Sequence, residues 1–152
     1  MKAIIQRVSS ASVKVEGEFT GKIDTGFLIL LGVNVEDTEK EVKLLAKKTA
    51  NLRIFSDEED KMNLSLLNVN GGALVVSNFT LYADSSHGNR PSYMNAARPE
   101  KAEPLYELFC EELKSNGVDT VEKGIFGADM KVELLNDGPV TLILDTDDWK
   151  KK

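Results

Sequence analysis

The feature that most constrains this chain is an apolar run, Phe27-Leu28-Ile29-Leu30-Leu31, which continues through Gly32 to Val33 between Gly26 and Asn34. Its length favours a strand buried on both faces over a helix. Before it, residues 1–8 read as a strand, and 11–15 with 19–23 as a hairpin around Glu16-Gly17-Glu18, giving an opening antiparallel meander. After it, Gly71-Gly72 opens a strand over 73–82, and 118–125, 128–135 and 140–144 complete the set, the middle one of these alternating as Met130, Val132, Leu134. Helical spacing appears twice. From Asp37 or Thr38 as N-cap, Val42, Leu45, Ala46 and Leu52 share a face whose one polar member is Thr49. Over 99–115, Leu105, Leu108, Phe109 and Leu113 face inward, Asn116-Gly117 is the stop, and Pro104 is expected to disturb the first turns. Residues 56–70 are polar and turn-rich, with Met62, Leu64, Leu66 and Leu67 dipping into the core or a partner. The fold class is therefore α+β, a mostly antiparallel, barrel-like sheet with two main helices in a single domain, 1–152.

Size and charge narrow the functions. A chain of 152 residues, 41% hydrophobic, fits one core. No stretch approaches the roughly 18 consecutive apolar residues of a membrane span, and residues 1–7 lack a signal peptide's apolar core, so no membrane partner is expected and the compartment is cytoplasmic. The single cysteine, Cys110, cannot form an intramolecular disulfide and reads as packing among Leu108, Phe109 and Leu113. A formal charge of −6 argues against coating nucleic acid through many phosphate contacts, but not against gripping one end. The basic stretches, Lys43, Lys47, Lys48 and Arg53 and the terminal 150–152, read as solvated surface.

The residue inventory excludes several chemistries. His87 is the only histidine, no grouping has the spacing of a zinc site, and no glycine-rich phosphate loop occurs, so neither metal nor cofactor is expected. A triad would need His87 with Ser77, Ser85, Ser86 or Ser92 and an acid such as Asp84; a histidine in the irregular, polar 83–98 segment reads better as an exposed loop residue. That segment is nonetheless long enough to suggest a functional loop. Two motifs remain. Ser77-Asn78-Phe79-Thr80-Leu81 puts polar side chains where a core strand would continue apolar, a break in pattern of the kind that marks sites. Asn136-Asp137-Gly138-Pro139-Val140-Thr141 sets Gly-Pro before a β-branched run, where a residue without an N–H is tolerated. Hydroxyls, an amide and backbone groups suit a substrate that is already activated, such as an aminoacyl ester, because donors can stabilise its oxyanion.

At these residues the chain resembles the D-aminoacyl-tRNA deacylases, which hydrolyse the ester between a D-amino acid and tRNA. The resemblance spans the chain, from Ile5-Gln6-Arg7-Val8 and Ala11-Ser12-Val13 through Arg53-Ile54-Phe55-Ser56-Asp57 and Lys61-Met62-Asn63-Leu64 to both motifs and Ala128-Asp129-Met130. One departure is visible: Asn78 stands where the family's motif usually has glutamine, and its reach is about one methylene shorter. The resemblance implies a homodimer with two sites at the interface, the Gly138-Pro139 turn of each protomer entering the other's pocket with a cis peptide whose carbonyls face the incoming amino acid. Such a filter reads only what all D-amino acids share, rejects L side chains sterically and lets glycine pass, so glycyl-tRNA is also an expected substrate. Arg7 either holds that turn or is a surface charge. Thr80 either attacks the ester or, with Ser77 and backbone amides, positions it for water assisted by the ribose 2′-hydroxyl; the second reading is favoured because no adjacent base is evident. Phe79, Phe126 and Met130 either wall the adenosine or aminoacyl pocket or belong to the sheet core. Two other functions fit the same motifs: a small-molecule esterase that ignores the terminal adenosine, and a module that binds aminoacyl-tRNA ends without cleaving them.

Overall fold

The computed structural model describes residues 1–150. The elements run β1 (Lys2–Val15), β2 (Glu18–Ile23), β3 (Gly26–Gly32), α1 (Glu39–Asn51), β4 (Arg53–Ser56), β5 (Met62–Ser65), β6 (Gly72–Ser77), a 3-10 turn (Phe79–Tyr82), α2 (Pro99–Ser115), β7 (Val121–Lys123), β8 (Lys131–Asp145) and α3 (Thr146–Trp149). The main sheet has the order β2-β1-β3-β6-β7, with β8 pairing along β1 and β4-β5 forming a separate hairpin. All three pairings of β1 are antiparallel. β3-β6 and β6-β7 are parallel, so the barrel-like sheet is mixed. It nearly closes, since a Cβ on Gly21 of β2 would sit 2.9 Å from the Lys123 carbonyl of β7.

The apolar run does lie buried on both faces. Phe27, Ile29 and Leu31, with Ala73 and Val75 of β6, enter a core shared with Val42, Leu45 and Ala46 of α1 and Tyr106, Phe109 and Leu113 of α2. Leu28 and Leu74 face the other way, into a second core with Val8, Ala11, Val13, Ile23 and Val76. The parallel β3-β6 pair starts where the two backbones cross so closely that a Cβ on Gly26 would run into Gly72. Cys110 is buried in the first core, and burial pushes its thiol up to about 12.

Several boundaries differ from the sequence reading. Residues 1–8 and 11–15 form one strand, because β1 exchanges β3 for β2 along its length while β8 follows it throughout, with register shifts around Val8. Likewise β8 runs unbroken through the second motif, where Asn136 Nδ2 donates to the carbonyls of Arg7 (3.0 Å) and Val140 (3.1 Å). The strand expected over 73–82 ends at Ser77: Asn78 N donates to the Leu31 carbonyl at 2.8 Å, and the chain then turns, Ala83 N reaching back to the Thr80 carbonyl. The polar 56–70 stretch contributes β5 and the turn that pairs it with β4, with Leu66 buried and Met62 58% exposed. β7 is only three residues long, since Val118 N is occupied in closing α2 on the Leu113 carbonyl. Pro104 does not interrupt α2; it lies on the exposed side, where the missing donor leaves no buried carbonyl unpaired.

Two clusters lock the helices to the sheet. The Met1 amino group donates to Asp37 Oδ1 and Thr146 Oγ1, both at 2.8 Å and both buried, tying the start of β1 to the loop before α1 and to α3. Thr38 caps α1 in a capping box with Glu41. The Thr38 hydroxyl donates to Glu41 Oε2 at 2.8 Å, and Lys150 lies 3.1 Å from Oε1. Lys150 is thus paired, whereas residues 151 and 152 of the expected solvated terminus lie outside the described residues. Among the described residues no helix is long and apolar enough to cross a membrane.

Burial opposes ionisation of Glu41, but the Thr38 and Lys150 contacts outweigh it and hold the carboxyl at about 2, against an ordinary 4.5. A depressed folded-state pKa stabilises above the unfolded value and ceases to do so as pH falls through the folded one. Glu41→Gln should therefore cost about 1–3 kcal/mol near neutral pH. By urea denaturation, the gap between variant and parent should hold down to about pH 5 and close towards pH 2; a gap independent of pH would show that the carboxylate charge is not what stabilises this end of α1.

Candidate active site

β6 delivers the first motif to the edge of a cavity of about 600 Å³. Its walls come from the end of β6 and the turn after it (Ser77, Asn78, Phe79), the start of α2 with the loop before it (Tyr93, Ala97, Arg98, Ala102), and the segment leading into β8 (Phe126, Asp129, Met130). The apolar wall includes Leu30, Val76 and Val132, so the cavity is an opening at the margin of the second core. Gly124 makes room for Met130, whose sulfur a Cβ there would strike. Phe126 tilts against Tyr106 with ring centroids 6.1 Å apart, and the buried Tyr106 hydroxyl donates to the Val75 carbonyl at 2.8 Å, which steadies that wall. Burial, chiefly, pushes the Tyr106 phenol far above its ordinary range, so it remains a donor.

Of the residues singled out from sequence, Ser77, Asn78, Phe79, Phe126 and Met130 line this cavity. Phe126 and Met130 also pack against the two cores, so the alternatives of pocket wall and sheet core coincide. Phe79 is 55% exposed and meets Tyr93 edge to face at 5.0 Å. Thr80 is exposed outside the lining, and its hydroxyl donates to Asn78 Oδ1 at 2.5 Å. That bond joins the motif's hydroxyl to its amide and gives the hydroxyl no base.

Arg7, Gly138 and Pro139 form a second group that does not line the cavity of the same chain. Arg7, only 11% exposed, donates from Nε to the Asp137 carbonyl (3.0 Å) and from Nη1 to the Ile54 carbonyl (2.7 Å). It therefore clamps the turn to β4 rather than projecting as a free surface charge. The Gly138-Pro139 peptide is cis. Gly138 has φ +139, and a Cβ there would lie 2.8 Å from the Val140 nitrogen, so only glycine fits without strain. Both turn residues are exposed.

Sequence reasoning missed Tyr93 and Arg98. Both come from the irregular 83–98 segment, whose length was the available signal. A short bridge between Asp84 and Ser92 pinches off its exposed tip and returns the chain to the cavity at Tyr93. His87 lies in that tip, and Asp84 accepts from Ser86 instead, with a hydroxyl contact of 2.6 Å that holds its carboxyl below the usual range. Among the described residues no grouping of three or more His, Cys, Asp or Glu could hold a metal ion.

The family model described as D-Tyr-tRNA(Tyr) deacylase matches residues 4–145. A D-aminoacyl-tRNA deacylase of Fusobacterium nucleatum is 60% identical over 148 residues, 97% of each chain. That of Brevibacillus brevis is 58% identical over 146 residues, 96% of this chain and all of its own. A solved structure described as c-Myc DNA Unwinding Element Binding Protein superposes with a TM-score of 0.90 at 42% identity, covering 95% of this chain and 98% of that one. The matched residues 4–145 span both motifs, and the chain belongs to the D-Tyr-tRNA(Tyr) deacylase family.

Proposed function

We propose that this chain hydrolyses the ester joining a D-amino acid to the 3′-terminal adenosine of tRNA, releasing free amino acid and tRNA and sparing the L-ester. The observation that carries this reading is the cavity itself: hydroxyl and amide groups set among aromatic and apolar side chains, and no histidine, thiol or metal grouping among its lining residues. Such a site has little to attack an unactivated bond with, and much to hold an ester whose leaving group is a sugar hydroxyl. The D-aminoacyl-tRNA deacylases at 58–60% identity support it. Such a substrate places the enzyme in the cytoplasm.

In this reading Ser77 and backbone amides orient the ester and its oxyanion, and water attacks with help from the ribose 2′-hydroxyl. Thr80 acts through Asn78 rather than as a nucleophile, since its proton is donated to an amide oxygen and not to a base. The turn of a second protomer completes the pocket. Arg7 holds the carbonyl-bearing turn, Gly138 and Pro139 present backbone to the α-carbon, and an L side chain has no space there. Glycine, which has no side chain to exclude, passes the same filter, so glycyl-tRNA is hydrolysed too.

Purified, metal-free protein should deacylate D-tyrosyl-tRNA and glycyl-tRNA rapidly and leave L-tyrosyl-tRNA intact. Thr80→Ala should slow the D-reaction about tenfold, the cost of one positioning hydrogen bond. A trapped acyl-enzyme would instead make Thr80 the nucleophile. Cleavage of simple esters as fast as of D-tyrosyl-tRNA would favour a general esterase, and retention of intact D-tyrosyl-tRNA would favour a binding module.

Subunit mixing tests the shared site. Gly138→Ala and a Ser77→Ala/Thr80→Ala double variant should each be nearly inactive. Refolded together, they should recover about a quarter of parental activity, because half the dimers are hybrid and each hybrid holds one intact pocket facing one intact turn. Activity no greater than the mean of the two separate variants would mean that the turn does not act across subunits.

A further inference from the structure

We propose that Arg98 binds the phosphodiester on the 5′ side of the terminal adenosine, and so makes the enzyme prefer an ester carried on a nucleic acid over the same ester on a free nucleoside. This rests on the deacylase reading above. Two of the side chains lining the cavity are charged, Arg98 and Asp129. The Asp129 carboxylate is already taken, with Lys131 Nζ 3.1 Å from Oδ1 and 3.2 Å from Oδ2. Arg98 is exposed and makes no ion pair among the described residues. The cavity margin thus carries one uncompensated cation in a chain whose formal charge is −6.

The position is also fixed. Ala97 N donates to the Val33 carbonyl at 2.9 Å just before Arg98, and Lys101 of the following turn donates through Nζ to the Val35 carbonyl. A guanidinium without a carboxylate, held beside a cavity, suits an oxyanion it can grip with a planar pair of donors. On the substrate the ester and the adenine are neutral and the amino group is cationic. The nearest anion is the phosphodiester on the 5′ oxygen of the ribose that bears the ester, which makes it the group that Arg98 complements.

The test compares three D-tyrosyl esters: on tRNA, on adenosine, and on adenosine carrying a 5′-phosphate. Arg98→Gln should raise KM for the tRNA ester about tenfold with kcat within twofold of the parent, and leave the adenosine ester unchanged. The 5′-phosphate should lower KM for the parent and not for Arg98→Gln, with Arg98→Lys restoring part of the difference. The slope of log KM against log salt should become shallower by about 0.7 in Arg98→Gln, the loss of one contact to a single strand. If the parent cleaves all three and Arg98→Gln affects them equally or not at all, the phosphate role is overturned while the deacylase reading stands. A parent that cleaves none of them overturns both.

Discussion

The double pairing of β1 governs this molecule. One edge of the strand takes β3 and then β2, the other takes β8 along nearly its whole length. The two motifs hang from opposite edges of that strand. β3 fixes β6 and hence Ser77, because the parallel pair ends at Leu31 and Ser77. β8 carries both Val132, at the cavity, and the Gly138-Pro139 turn further along. A strand gripped from both sides cannot slide without exchanging the faces of every buried side chain it carries. Ala3, Ile5 and Val13, all fully buried, make such a slip prohibitive.

The same strand explains why the turn is rigid. β8 shifts register against β1 between Gln6 and Ser10, and a shift leaves backbone groups unmatched. Asn136 and Arg7 bind there: the amide bridges the Arg7 and Val140 carbonyls, and the guanidinium takes the Asp137 carbonyl while anchoring on the Ile54 carbonyl of β4. Arg7 therefore acts on the turn through its neighbours, and β4 supplies a fixed anchor for it. The cavity lies elsewhere, at the rim of the second core, so the chain presents a pocket without its proposed filter and a filter without a pocket. In the proposed dimer, two copies of one surface related by a two-fold axis would resolve both at once.

What the sequence disclosed follows from which forces are local. The two-sided strand at Phe27–Leu31 and the faces of both helices were legible because hydrophobic period is written residue by residue. The Thr38 cap was legible because its partner is three residues away. The end of β6 was not, since Phe79 and Leu81 look like strand and the chain is diverted by a turn that closes Leu81 N on the Asn78 carbonyl and Ala83 N on the Thr80 carbonyl. Nor was the continuity of β8, which depends on Asn136 reaching a strand about 130 residues earlier. Of the site, the polar break at Ser77-Asn78 was visible as a violation of pattern. Tyr93 and Arg98 were not, because a loop residue's relation to a cavity depends on where the chain re-enters the fold, and that is set here by the Asp84–Ser92 bridge.

The exchange of glutamine for Asn78 acquires a physical meaning from its neighbour. A side chain one methylene shorter stays close to its own backbone, and here its amide oxygen accepts the Thr80 hydroxyl two residues on. A local contact of this kind competes with reaching across the cavity. It also orients the amide: with the oxygen occupied by Thr80, the Nδ2 hydrogens are the groups left to donate towards an ester. In the proposed reaction Thr80 then serves as a brace that keeps Asn78 a donor, which is the polarity an oxyanion requires. A threonine that instead held a nucleophile's place would need its proton removed, and the residue receiving that proton is an amide with no basicity to keep it.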